Sequence, residues 1–299
     1  MTYRELCNRL HAVYDLGEAR AIVRLVLGER FGLSMADILC DKVTELSSDD
    51  RTELEKIMRR LLDGEPVQYV LGEAEFCGRK FRVAPGVLIP RPETEELCRW
   101  MIEERGARSE ERDAILDIGT GSGCIAVTLA AEMPRAQVSA WDISAEALKI
   151  ARENAERNGV EVTFEQVDAL NPHPSSLIPP PSSLIPHPSS LNYLVSNPPY
   201  VCESEKTAMK PQVFEHEPSL ALFVPDDDPL RFYRAIADFA MQSLKSDGWL
   251  YFEANPLYIN ELRAMLSEKG FDNIEEKCDQ FGKKRMIRAK KSKKKYGKG

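Results

Sequence analysis

The sequence lacks long apolar runs, metal-ligand spacings and paired cysteines. No apolar stretch approaches the ~20 residues that cross a bilayer, and the opening MTYRELCNRLHAVYDL is amphipathic, unlike an export signal. The seven cysteines include no C-x-x-C pair, and the four histidines show no metal-ligand spacing. Unpaired thiols are typical of a reducing compartment. We therefore predict a cytoplasmic protein without membrane spans, disulfides or a metal site.

The sequence also lacks an excess of positive charge. The 299 residues carry a formal net charge of −8, and the last ten residues hold six lysines and no acid, so the rest of the chain stands at −14. Such acidity disfavours broad contacts with phosphates, and we expect no direct nucleic-acid substrate. Residues 290–299 are interpreted as a basic disordered tail, although contact with RNA or an acidic partner stays open.

Helical patterns dominate the first 72 residues. GEARAIVRLVLGERFG has apolar residues at helical spacing and a stop at Gly32. SSDDRTELEKIMRRLLDG begins with capping residues and acids and ends with arginines and Gly64. Residues 1–72 therefore predict an all-α bundle. Residues 73–90 alternate apolar and polar side chains around Gly78, which predicts a β-hairpin linker.

Strand and helix patterns alternate through residues 91–289. The strands are AILDIG, QVSAWD, VEVTFEQVD, YLVSNPPY, GWLYFEA, FDNIEEKCD and KRMIRA. Helical patterns such as CIAVTLAAEM and SAEALKIARENAERNG lie between them. This alternation predicts an α/β fold whose mainly parallel sheet is covered on both faces. Ligands bind such sheets at the carboxyl ends of the strands.

One segment departs from this alternation. PHPSSLIPPPSSLIPHPSSL, within residues 169–191, repeats a Pro-Ser unit whose prolines forbid both helix and sheet. We interpret 169–191 as a low-complexity insertion in a surface loop, which adds little closure entropy and is dispensable for activity. A recruitment motif of the polyproline type is the alternative.

Three glycines follow the first strand of the sheet. ILDIGTGSG places Gly119, Gly121 and Gly123 before a helix, where backbone can approach a ligand closely. A dinucleotide site prefers G-x-G-x-x-G, and here the third glycine comes one position early. The loop alone therefore predicts a ligand site without identifying the ligand.

Acidic residues follow three successive strands around this loop. Asp117 precedes the glycines, Asp142 can bind both ribose hydroxyls, and Asp168 can accept from an adenine amino group. Such a set fits a neutral or cationic nucleoside better than a pyrophosphate. S-adenosyl-L-methionine combines a sulfonium, an ammonium, a ribose and an adenine, and we predict it as the cofactor.

The motif Asn197-Pro198-Pro199-Tyr200 ends the fourth strand of the sheet. A planar amino group is a poor nucleophile because its nitrogen lone pair is delocalised. The Asn197 side-chain oxygen and the Pro198 carbonyl can hold both of its N–H groups and align the nitrogen with a methyl donor. The prolines stiffen these acceptors, and the Tyr200 ring can pack on the amide plane and exclude water.

This motif resembles that of the class I amino-methyltransferases, which act on adenine, guanine or glutamine. The segment from GEPVQYVLGEAEF to LIPRPETEEL is similar to the stretch that joins the two domains of the protein-(glutamine-N5) methyltransferases. LDIGTGSGCIAV, VSNPPYV and DQFGKKRMI extend the resemblance over nearly the whole chain. Within that family, the chain is similar to bacterial members that methylate the glutamine of the GGQ motif in peptide chain release factors.

The resemblance implies a Rossmann-like class I methyltransferase sheet of about seven strands, with the last strand antiparallel. It implies that residues 1–72 help to recognise the release factor, and we expect a monomer. The implied catalytic residues are Asn197, Pro198, Pro199 and Tyr200. The implied cofactor contacts are Asp117, Gly119, Thr120, Gly121, Ser122, Gly123, Asp142, Ile143, Asp168, Ala169 and Asn197.

Some positions depart from the family pattern. Ala169 stands where relatives often carry a large residue against the adenine, and Asn192 replaces an acid at the start of the fourth strand. Glu253-Ala254-Asn255 differs from the usual Glu-x-Gly, and its role is open.

Three alternatives remain at this point. A glutamine methyltransferase acting on a ribosomal protein shares almost every motif, whereas the acidic body disfavours a nucleic-acid amino-methyltransferase. A non-catalytic binding module is disfavoured because both the glycine loop and the N-P-P-Y motif are intact.

Overall fold

The computed structural model describes residues 1–105, 112–171 and 191–292. Most of the predicted Pro/Ser insertion and residues 293–299 of the predicted tail lie outside the described residues. The chain divides into two compact units. The smaller comprises residues 1–73, 83–85 and 209–217, and the larger comprises residues 74–82, 86–208 and 218–299.

The smaller unit is helical, as the N-terminal periodicity predicted. Its helices are α1 (Tyr3–Leu10), α2 (Leu16–Phe31), α3 (Met35–Leu39), α4 (Ser48–Leu62), α5 (Val67–Leu71) and, much later in the chain, α9 (Pro211–His216). Leu27 of α2 and Leu61 of α4 are fully buried in its core. Helix α2 ends at Gly32, whose left-handed backbone (φ 66°) lets Leu33 N donate to Leu27 O.

Residues 209–217 join this unit although they follow the N-P-P-Y motif in the sequence. Lys210, which precedes α9, forms an ion pair with Glu18 of α2 at 2.9 Å. The Cβ that an alanine would carry at Gly64 would lie 3.7 Å from His216 Nε2, at ordinary contact distance. The local sequence does not predict this association, because periodicity carries no information about contacts over such a separation.

The larger unit is built on a seven-stranded sheet. Its strands are β3 (Ala114–Ile118), β4 (Gln137–Asp142), β5 (Thr163–Gln166), β6 (Leu191–Ser196), β9 (Leu244–Glu253), β10 (Phe271–Cys278) and β11 (Lys284–Lys291). They are ordered β10-β11-β9-β6-β3-β4-β5. Strand β11 is antiparallel to both neighbours, whereas the pairs from β9 to β5 are parallel. This confirms the predicted mainly parallel sheet with an antiparallel strand near the end of the chain.

Helices cover both faces of the sheet, as predicted. They are α6 (Pro92–Arg105), α7 (Cys124–Glu132), α8 (Ala145–Arg157), α10 (Ser219–Leu222), α11 (Arg231–Ser243) and α12 (Ile259–Glu268). One buried cluster includes Leu97 of α6 and Leu129 of α7, and a second includes Ile236 of α11 and Leu266 of α12. A separate two-stranded ladder pairs β7 (Val201–Cys202) with β8 (Phe223–Val224).

The predicted hairpin is present as β1 (Glu73–Phe76) and β2 (Arg79–Arg82). Its turn residues Cys77 and Gly78 both have positive φ, as a tight hairpin turn requires. Phe76 and Phe81 are fully buried in the first apolar cluster of the larger unit. The predicted hairpin linker therefore contributes both phenylalanines to the packed core of the larger unit.

Two strand boundaries differ from the sequence pattern. Strand β5 ends at Gln166, so Asp168 lies two residues beyond it rather than at its tip. Strand β11 continues through Lys291, two residues into the segment assigned to a tail, because it pairs with Trp249 and Phe271 on either side. Backbone pairing, which the lysine-rich composition does not reveal, sets this end.

The described residues show few other special features. None of their helices is both long and apolar enough to cross a membrane. They hold no group of three or more His, Cys, Asp or Glu side chains that could bind a metal ion. All seven cysteines are free thiols.

Candidate active site

The glycine loop follows β3 and uses its glycines for different purposes. Gly119, Gly121 and Gly123 all have positive φ, at 75°, 55° and 81°. A Cβ at Gly119 or Gly121 would meet nothing within 4 Å, whereas at Gly123 it would lie 3.0 Å from Ala151 Cβ. The first two glycines leave the backbone open to a ligand. The third allows α7 to approach α8.

A buried asparagine fixes the loop from behind. Asn154 of α8 is fully buried, and its Nδ2 donates to Ser122 O at 2.8 Å and to Arg82 O at 2.9 Å. Its Oδ1 accepts from Arg82 N at 2.6 Å. Asn154 therefore ties the glycine loop to the hairpin, and the sequence pattern did not identify it.

Asp117 supplies a buried acceptor below the loop. Its side chain is fully buried, and its Oδ2 accepts from Thr120 Oγ1 at 2.6 Å. Its Oδ1 has no hydrogen-bond partner among the described residues. Burial raises the pKa of Asp117 to about 7, and the Thr120 hydrogen bond opposes that rise. A cationic group would satisfy this carboxylate, so the residues present fit the ammonium or sulfonium of S-adenosylmethionine.

Asp142 ends β4 and holds the loop in place. Its Oδ2 accepts from Gly121 N at 2.8 Å, and its Oδ1 accepts from Ser144 N at 2.9 Å. Each carboxylate oxygen retains a second lone pair, which can accept from a ribose hydroxyl. Burial raises the pKa of Asp142, and these two backbone donors oppose the rise. The next residue, Ile143, is 44% exposed and offers an apolar surface for a base.

Both side-chain oxygens of Asp168 accept hydrogen bonds from neighbouring residues. Asp168 Oδ1 accepts from Leu170 N at 2.8 Å, and Oδ2 accepts from Asn171 Nδ2 at 3.0 Å. Ala169 packs against the second apolar cluster of the larger unit. Asp168 thus shapes a turn while one lone pair on each oxygen remains for a ligand.

The N-P-P-Y motif follows β6, directly beside the glycine loop. Ile118 pairs with Ser196 in the parallel register, and Ser196 Oγ donates to Ile118 O at 2.6 Å. Gly119 and Asn197 are therefore the first residues after the ends of two adjacent strands. Asn197 Nδ2 donates to Thr94 Oγ1 at 3.2 Å. No described residue donates to Asn197 Oδ1, which leaves this oxygen for a substrate.

Tyr200 is anchored by a buried acid. Its hydroxyl donates to Glu253 Oε1 at 3.0 Å and accepts from Arg285 Nη1 at 3.3 Å. Burial and the Glu253 carboxylate raise the pKa of Tyr200 well above its usual range, so the phenol stays protonated and remains a donor. The Tyr200 carbonyl accepts from Asn255 Nδ2 at 3.1 Å, which fixes the end of the motif.

Sequence reasoning missed Thr94, Glu253, Asn255 and Arg285 as site residues. Glu253 follows an apolar strand at the same edge as Asp142, so the rule applied to that acid would have found it. Thr94 and Arg285 lie in LIPRPETE and DQFGKKRMI, which carried the family resemblance without an assigned role. The structure also places Asn255 in the site, because its side-chain amide donates to the Tyr200 carbonyl.

Asn192, noted as a departure at the start of β6, lies at the opposite edge of the sheet. Its Oδ1 accepts from Ala114 N at 3.0 Å and from Lys245 Nζ at 2.8 Å. It joins the beginnings of neighbouring strands and takes no part in the candidate site.

Comparisons with known proteins identify relatives of this chain. The Methyltransferase small domain model matches residues 101–218, and the PrmC N-terminal domain model matches residues 2–72. A Bacteroides thetaiotaomicron protein named release factor glutamine methyltransferase is 44% identical over 280 residues, 94% of this chain and 95% of that protein. A Flavobacterium psychrophilum protein of the same name is 38% identical over 285 residues, with 95% and 96% covered.

A solved structure supports the fold alone. The 16S rRNA N2 G1207 methyltransferase of T. thermophilus, in complex with AdoMet and guanosine, superposes with a TM-score of 0.50 at 18% identity. The match covers 73% of this chain and 49% of that chain. It confirms the class I methyltransferase sheet.

Proposed function

Because the chain belongs to the release factor glutamine methyltransferase family, we propose that it methylates the side-chain amide nitrogen of a glutamine in peptide chain release factors. The glutamine of the GGQ motif is the target, and S-adenosyl-L-methionine is the methyl donor. The observation that carries the proposal is the Asn197 amide, held through its nitrogen with its oxygen available beside the glycine loop. The relatives do not favour the alternative of a ribosomal-protein substrate.

The donor site combines the glycine loop with the acids around it. S-adenosylmethionine supplies an electrophilic methyl group on a sulfonium. Gly119 and Gly121 present open backbone, Asp117 offers a buried acceptor to positive charge, and Asp142 offers acceptors to ribose hydroxyls. Thr120, Ser122, Gly123, Ile143, Asp168, Ala169 and Asn197 complete the proposed cofactor contacts.

The proposed acceptor site orients the target amide and stabilises the positive charge that develops on its nitrogen. Asn197 Oδ1 and the Pro198 carbonyl accept the two N–H bonds of the target amide, which points its nitrogen toward the methyl group. As the N–C bond forms and the C–S bond breaks, positive charge develops on the nitrogen, and these two acceptors stabilise it. The nitrogen then releases one proton to solvent, which restores a planar amide. Pro199 keeps the motif rigid, and Tyr200 covers the amide plane.

The pKa of Asp117 predicts a pH-dependent affinity for the cofactor. Since that pKa is raised to about 7, the carboxyl is mostly neutral at pH 6 and ionised above pH 7. A cationic ligand favours the ionised form, so its binding releases a proton. We expect the affinity for S-adenosylmethionine to rise by up to about tenfold per pH unit below the pKa.

Isothermal titration calorimetry at pH 6 and 7.5, in two buffers of different ionisation enthalpy, measures both the affinity and the released proton. In Asp117→Asn we expect weaker binding without this pH dependence. Equal affinities of the unmodified protein at both pH values would contradict the assignment.

The function itself is tested with a labelled methyl donor. Release factor purified without its methylation should accept label, and the same factor with GGQ glutamine changed to alanine should not. Label on a ribosomal protein and none on the release factor would move the proposal to the other substrate.

We also propose that residues 1–72 dock the release factor and that the enzyme acts as a cytoplasmic monomer.

A further inference from the structure

A chain of hydrogen bonds leads from a buried carboxylate to the Asn197 amide. Glu253 ends β9 and is 1% exposed. Thr94 Oγ1, in the first turn of α6, donates to Glu253 Oε2 at 2.6 Å and accepts from Asn197 Nδ2 at 3.2 Å. Ser196 pairs with Phe252 in the parallel register, so Asn197 and Glu253 are the next residues of adjacent strands.

With Glu253 ionised, the polarity of this chain has one solution. An ionised carboxylate only accepts hydrogen bonds, so the single Thr94 hydroxyl proton points at Glu253. The Thr94 oxygen can then only accept, and of the two ends of the Asn197 amide only the NH₂ group donates. The flipped Asn197 amide would set its oxygen against the Thr94 oxygen, two acceptors without a proton between them, which is unfavourable for buried groups.

We propose that Thr94 and Glu253 are positioning residues that fix the orientation of the Asn197 amide and thereby present Oδ1 to the target glutamine. The inference rests on the proposed function and deepens it. Neither residue touches the reacting atoms. Each acts through Asn197, and the first link lies in the LIPRPETE stretch, 103 positions from that residue.

The same carboxylate also holds the far end of the motif. Glu253 Oε1 accepts from Tyr200 OH, while Oε2 accepts from Thr94. Burial raises the pKa of Glu253, and the hydrogen bonds from Thr94 and Tyr200 and the nearby charge of Arg285 oppose the rise. Because both oxygens are used as acceptors, one buried group sets the positions of Asn197 and Tyr200 together.

Thr94→Val tests the proposal because it removes the hydroxyl with little change in shape. We expect kcat for methyl transfer to the release factor to fall roughly 10- to 100-fold, since small misplacements of reacting groups have effects of about this size. The dissociation constant for S-adenosylmethionine should change less than about twofold. This change is much smaller than the expected fall in kcat. Thr94→Ser keeps the hydroxyl and should retain most of kcat.

Thr128→Val is the matched control. Thr128 of α7 is also fully buried, but its hydroxyl has no hydrogen-bond partner among the described residues. The two valine variants therefore make the same chemical change, and only one of them interrupts the chain. We expect Thr128→Val to leave kcat unchanged.

Glu253→Gln provides an independent second variant. Thr94 and Tyr200 donate to different oxygens of Glu253, so in a glutamine one of the two hydroxyls would face an NH₂ group that cannot accept. We expect a loss of kcat at least as large as that of Thr94→Val, and the double variant should lose no more than Glu253→Gln alone, because both changes interrupt one chain.

Normal kcat in either Thr94→Val or Glu253→Gln would overturn the proposal. So would a Thr94→Ser variant as impaired as the valine variant, or a loss of kcat matched by an equal loss of cofactor affinity. Failure of the unmodified enzyme to label the release factor would instead reject the proposed function, which separates the two conclusions.

Discussion

Asn197→Ala is expected to lower kcat for glutamine methylation by roughly 10²- to 10³-fold, the size found when one preorganised hydrogen-bonding group is removed from a charge-stabilising site. Asn197 Oδ1 accepts from no described residue, while Nδ2 is engaged by Thr94. Alanine removes the acceptor that orients the target nitrogen and stabilises its developing charge. Single-turnover kinetics with labelled S-adenosylmethionine measure this step directly.

A matched control separates this effect from general damage. Asn260 lies exposed on α12, and Asn260→Ala should retain full activity. Binding of S-adenosylmethionine to Asn197→Ala, measured by calorimetry, should weaken far less than kcat falls, because the glycine loop and Asp142 keep their contacts. Near-normal kcat for Asn197→Ala would show that another group orients the glutamine.

Local signals in the sequence predicted most of the fold. Helix α8 begins after Ser144, whose side chain accepts from Ala147 N, and ends near Gly159, as its capping signals indicate. The sheet follows from the alternation of strand and helix patterns, which reports burial on both faces. Strand β5 is shorter than its sequence pattern predicts, because only Thr163–Gln166 pair with β4.

The candidate site was predicted only in part, for a physical reason. Asp117, Asp142 and Asn197 each lie at or next to the carboxyl end of an apolar strand, so one rule about strand ends locates them. Thr94 and Glu253 are 159 positions apart, and their contact depends on how α6 packs against β9. A side chain that acts through another side chain has no local pattern, and only the packed structure brings the two together.

The same distinction applies to the glycine loop. Its pattern predicted close approach to a ligand at all three glycines, yet Gly123 is required for a different contact. Its Cβ position lies 3.0 Å from Ala151 Cβ and 3.1 Å from Ala151 Cα. Gly119 and Gly121 are thus open around the Cβ position, whereas Gly123 also supports the packing of α7 on α8.

Gly123→Ala is accordingly expected to destabilise the larger unit by about 2–5 kcal/mol. A non-glycine residue in the left-handed region costs about 1–2 kcal/mol, and forcing a methyl group into a packed contact adds about 1–3 kcal/mol. Urea unfolding followed by circular dichroism measures the loss. Gly159→Ala is the control, because it has a similar φ of 66° and nothing within 4 Å of its Cβ, so it carries the backbone strain alone.

Ala151→Gly should recover part of the difference. Combined with Gly123→Ala, it removes the methyl group at 3.0 Å but leaves Ala151 Cα at 3.1 Å. The sum of the single changes already contains the ~1 kcal/mol that a glycine costs inside α8, so the double variant should be more stable than this sum by about 1 kcal/mol. Additive effects, or equal losses for Gly123→Ala and Gly159→Ala, would mean that Gly123 serves backbone conformation alone and does not limit how closely α7 approaches α8.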